Sequence, residues 1–122
     1  MQRDMELFRK VLFKVEELPF NGGARQIEVE GYDDENTTYH VKLAIDAGFL
    51  DAINVSHQTG KAYLVSGLTY SGHEFLDSIK SETVWEKSKA FLKGSVGEIT
   101  VTGLKTAVPM IVKSLLAAHL PK

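Results

Sequence analysis

Five polar residues crowded into positions 36–42 are where this chain could do chemistry: Asn36, Thr37, Tyr39, His40 and Lys42. Amide, hydroxyl, imidazole and ammonium groups are the types that hydrogen-bond base edges and phosphates. Lys61, at the turn between two extended segments, adds a cation suited to phosphate. Other constellations point to less. His40, His57, His73 and His119 never fall three or four residues apart, and His73-Glu74 lacks the second histidine of the helical zinc motif. Asp33-Asp34 and Glu16-Glu17 read as a helix cap and a solvated face rather than as acid–base pairs. Ser and His occur without a nucleophile elbow, and Gly22-Gly23 has neither dinucleotide nor Walker spacing. With no cysteine, disulfides and thiolate metal sites are excluded. The expectation is a chain that is not an enzyme and holds no metal or cofactor.

The elements that must position residues 36–42 can be read from periodicity. Met5, Phe8, Val11, Leu12, Val15 and Leu18 recur at three- and four-residue steps, predicting a helix over 3–18 that Pro19 and Asn21-Gly22-Gly23 stop. Residues 25–30 alternate, predicting a short strand with Ile27 and Val29 facing in, closed by Gly31. A second helix starts at an Asp33 or Asp34 cap and runs to about Ala47, with Val41, Ala44, Ile45 and Thr38 inward and Gly48 as its left-handed stop. Strands over 52–57 and 62–68 flank a turn at 58–61, and Gly67 marks a bulge or bend. Residues 69–92 are helical in two pieces, capped by Thr69 and Ser81, with Trp85 in the core. Glu98 to Thr102 alternates as a strand would. A last helix over 103–119 is bent or begun by Pro109.

At 122 residues and 25% charged, the chain suits one small globular body, read as a domain over 1–93 and a helical extension over 94–122. The net charge of −2 is not the basic footprint of a typical nucleic-acid binder. Residues 33–47 hold four acids against one lysine, whereas 94–122 hold three lysines against one acid. The start, Met1 to Glu6, is too charged for a signal peptide. The apolar run over 107–120 carries Pro109, Lys113 and His119 and reads as too short and too polar to span a bilayer. A cytoplasmic location without a membrane is the expectation. Ile111, Val112, Leu115, Leu116 and Leu120, with Ala117-Ala118, form an apolar face that either closes the core or packs on a second copy.

His40-Val41-Lys42-Leu43 followed by Ala47-Gly48-Phe49-Leu50 resembles the end of the recognition helix in winged-helix repressors of the ArsR type. That resemblance implies DNA contact by Asn36, Thr37, Tyr39, His40 and Lys42. A longer series, from Arg3-Asp4-Met5 and Glu30-Gly31-Tyr32 through Leu68-Thr69, Gly72-His73-Glu74-Phe75-Leu76-Asp77 and Val84-Trp85, resembles a family of small bacterial and phage proteins known only as a domain of unknown function. It implies a winged-helix-like fold and no established activity. The repressors' bracing helix has no counterpart, since 19–32 hold Pro19, three glycines and a predicted strand. The fold class expected is α+β: a winged-helix-like domain with an appended C-terminal helix. Two functions remain open. One is a DNA-binding regulator that grips double-stranded DNA with residues 36–42 and Lys61; the other is a protein–protein interaction module without DNA binding.

Overall fold

The computed structural model describes residues 1–119. Its elements are α1 (Met5–Glu16), α2 (Asp34–Asp46), β1 (Leu50–Asn54), β2 (Tyr63–Leu68), α3 (Tyr70–Ser78), α4 (Glu82–Val96) and α5 (Val101–His119). The class is α+β, and the helix–hairpin order of its first part is winged-helix-like. The chain divides into two compact units, Met1–Leu76 and a second from Asp77 on. The division expected between 93 and 94 falls inside α4.

The first unit is built on α1. Asp4 caps it, its carboxylate accepting from the N–H groups of Glu6 and Leu7, and Leu7, Phe8, Val11, Leu12 and Val15 bury one face. Helix α2 begins at an Asp33 cap and stops at Gly48, whose φ of +80° is the left-handed turn only glycine takes without strain. The chain then enters an antiparallel pair, β1 with β2. A bulge opposite Asp51 and Ala52 leaves Ser66 without a partner, beside Gly67 as expected. At the tip, His57 and Gly60 exchange backbone hydrogen bonds across Gln58-Thr59.

Phe8, Phe49 and Phe75 form an aromatic cluster, Phe49 stacked on Phe75 at 4.8 Å between ring centres and Phe8 edge-on to both. Thr69 ties α3 to the end of α2, its hydroxyl donating to Gly48 O (2.6 Å) and accepting from Gly72 N–H. Gly72 is required there, because a Cβ would lie 2.2 Å from the Phe49 carbonyl oxygen.

In the second unit Ser81 caps α4, and α4 ends on Gly97 at φ +80°. Trp85, Ser88 and Leu92 of α4 and Leu104, Ala107 and Val108 of α5 are buried.

Three expectations need correction. Residues 25–30 form no strand; Arg25 alone bridges Val65, while Ile27 and Val29 are buried as anticipated. A segment interrupted by Gly22, Gly23 and Gly31 contributes apolar side chains without sustaining a ladder. Residues 98–102 form no strand either, because Thr100 caps α5 through Gly103 N–H and draws Val101 and Thr102 into the helix. Pro109 therefore lies inside α5 instead of starting it. The early start gives α5 19 residues, whose most apolar 18-residue window has a mean hydropathy of 1.3, enough by length and composition alone to cross a membrane.

Candidate functional site

The phase of α2 decides which of residues 36–42 face outward. Its buried positions are Thr37, His40, Val41 and Ala44, one stripe at helical spacing. Thr37 and His40 are therefore core residues, 2% and 0% exposed, and neither is available to DNA. The expectation had sorted polar types outward and Thr38 and Ile45 inward; both of the latter are only half-buried.

His40 tolerates burial because both ring nitrogens are engaged. Its Nε2 accepts from Asp4 N–H at 2.7 Å, and its Nδ1 lies 2.8 Å from Asn36 O. A ring that accepts at Nε2 carries its proton on Nδ1, so Nδ1–H donates to that carbonyl. The imidazole thus fastens α2 to the start of α1. Thr37 Oγ1, by contrast, is buried without a hydrogen-bond partner.

The other candidates fall into two groups. Asn36 serves the cap: its N–H donates to Asp33 Oδ1 at 2.7 Å and its side-chain amide to Oδ2 at 3.3 Å. Lys42 is paired with Asp46 one turn on, Nζ to Oδ2 2.6 Å. That hydrogen bond first, and the carboxylate charge second, hold the Lys42 ammonium above its ordinary pKa. Tyr39 is half-exposed, edge-on to the His40 ring at 5.3 Å. Lys61 is exposed at the hairpin tip and has no ion-pair partner among the described residues.

Tyr39, Lys42 and Lys61 do converge. They line a cleft of about 550 Å³ between the first turns of α2 and the hairpin tip. Asp34, Glu35, Thr38 and Tyr63 line it too, with Gln26, Thr59, Gly60 and Met1. Sequence reasoning missed the two acids as site residues because their position at a helix start already explained them. Tyr63 was legible only as a strand residue, and Gln26 carried no signal.

The expected dimerisation residues lie in the second unit. Ile111 and Leu115 line a groove of about 430 Å³ with Lys87, Ala90, Phe91 and Ser114. Val112 is half-buried, Leu116 is 60% exposed, and Leu120 lies outside the described residues. Among the described residues no group of three or more His, Asp or Glu side chains could hold a metal ion.

Comparison with known proteins agrees with the longer of the two sequence resemblances. A Haemophilus influenzae protein described as uncharacterised is 31% identical over 118 residues, which cover 96% of this chain and all of that one. The crystal structure of smu.1704 from Streptococcus mutans UA159 overlays 77% of this chain and 91% of its own with a TM-score of 0.46 at 15% identity, a loose likeness. Residues 2–98 match the family described as "Hypothetical protein (DUF2513)". The chain belongs to the DUF2513 family.

Proposed function

We propose that this chain is a non-enzymatic protein-interaction module, whose first unit receives a short segment of a partner protein in the cleft between α2 and the hairpin tip. The observation that carries this reading is the charge state of the cleft. Lys42 is already neutralised by Asp46, so among the described side chains lining the cleft Asp34 and Glu35 stand with one lysine outside an ion pair, Lys61. The whole of Met1–Leu76 holds seven Lys and Arg against twelve Asp and Glu, net −5. Duplex binding draws most of its non-specific affinity from phosphate neutralisation, and an acidic face works against it. Tyr39 and Tyr63 supply broad apolar surface with polar tips, which suits peptide contact. Asp34 and Glu35 favour a segment that carries Lys or Arg.

Selection from a displayed random-peptide library on the full chain tests this. Enriched sequences are expected to carry basic residues, and Glu35→Lys or Tyr39→Ala is expected to weaken their binding at least tenfold. A DNA regulator would behave otherwise. Duplex binding at ~50 mM salt that falls steeply by ~200 mM and is abolished by Lys61→Glu would overturn the proposal.

A further inference from the structure

We infer that α5, with the neighbouring face of α4, lies on the surface of an anionic lipid bilayer. Three observations of the second unit combine. First, α5 is apolar enough for a membrane environment, yet only 17% of its most apolar window is buried, so it is not an ordinary core helix. Second, four of its incompletely buried apolar side chains share one face, with Met110 exposed on the other side. Ile111 and Leu115 are one turn apart, Val112 and Leu116 likewise, and Leu116 is 60% exposed. Phe91 of α4, 41% exposed, borders the same groove. Third, the charge is net basic, although Lys80 and Lys89 are paired with Asp77 and Glu86. Helix α5 carries Lys105 and Lys113 and no acid, Lys87 rims the groove, and the chain from Asp77 on holds seven lysines against four acids.

Apolar surface flanked by lysines is the chemistry of a helix in the headgroup layer above anionic lipid. Lying on the bilayer is favoured over crossing it. At ~1.5 Å per residue α5 spans about 28 Å, and crossing would place the charged Lys113 within the hydrocarbon, where it is disfavoured. Lysine stems at the interface keep their charge in water. A second copy is disfavoured as the occupant, since two such faces would bring lysines together with no acid on α5 to pair them.

Co-sedimentation of the full chain with vesicles is the test. Binding is expected to vesicles of phosphatidylcholine mixed with phosphatidylglycerol, to be far weaker with phosphatidylcholine alone, and to fall as salt rises. Lys113→Gln is expected to weaken it roughly fivefold, the effect of one lysine near an anionic surface. Leu116→Glu, at an exposed position that leaves the core intact, is expected to remove it. No binding to the anionic vesicles, or binding indifferent to both substitutions, overturns the inference. So does a dimer that Leu116→Glu returns to monomer when neither form binds vesicles.

Discussion

The two units of this chain carry net charge of opposite sign and differ in the size of the polar side chains they bury. The first encloses His40 with both ring nitrogens engaged and buries Arg9 with its guanidinium 5.0 Å from the Phe13 ring centre, while Thr37 Oγ1 is buried without a partner. Its charge is net acidic. In the second, Ser88 is the buried polar side chain among the described residues and the charge is net basic; large apolar side chains stand exposed in both units, Phe20 and Tyr70 in the first and Met110 and Leu116 in the second. A near-neutral total conceals this division. A net charge taken over the whole chain therefore says little about either surface.

The largest expected effects probe whether the two cores act separately. Phe49→Ala removes the ring shared by the Phe8 and Phe75 contacts, and Trp85→Ala empties a fully buried site in α4. Each should cost about 3–5 kcal/mol. Hydrogen exchange should show Phe49→Ala lowering protection chiefly in α1, α2 and the hairpin, and Trp85→Ala chiefly in α4 and α5. Uniform loss of protection in both variants would mean that the contrast between units does not extend to their stability.

The next effect separates core polar residues from surface ones along α2. His40→Ala leaves Asp4 N–H without its acceptor and opens a cavity, for a cost of about 2–4 kcal/mol by urea denaturation. Lys61→Ala, exposed and unpaired, should stay within ~0.5 kcal/mol. Equal effects would show that the α1–α2 link contributes nothing beyond an ordinary surface contact.

The smallest effect is alkaline. Lys42 is raised above 10.5 by Asp46, and Tyr70 above 10.0 by its hydrogen bond to Glu74 and that group's charge. A folded pKa above the unfolded one means stabilisation present below the unfolded value and lost as pH rises through the folded value. The small stability difference between the natural chain and Lys42→Met should hold from neutral pH up to about 10.5 and vanish above it. A difference that shrinks at neutral pH would show that the pair is not formed in solution.

Much of the architecture was legible locally. The stripe of α1, the Asp33, Thr69 and Ser81 caps, the Gly48 stop, the hairpin and the break before α4 all follow from interactions within a few residues. The candidate site was less legible. Tyr39, Lys42 and Lys61 do meet in one cleft, but Thr37 and His40 turned inward and Asn36 was taken up by the cap. Residue type reports the cost of burying a polar group, whereas it is silent on whether a distant N–H waits to offset that cost. Asp4, 36 residues away, supplies it for His40. The sequence by itself determined where α2, α3 and α4 begin, where α2 stops and where the chain must turn, because caps, glycine φ angles and helical spacing are short-range. Only the tertiary structure decided the rotation of α2 about its axis, the reduction of residues 25–30 to a single bridge, and the exposure of α5, because each depends on groups far apart in the chain.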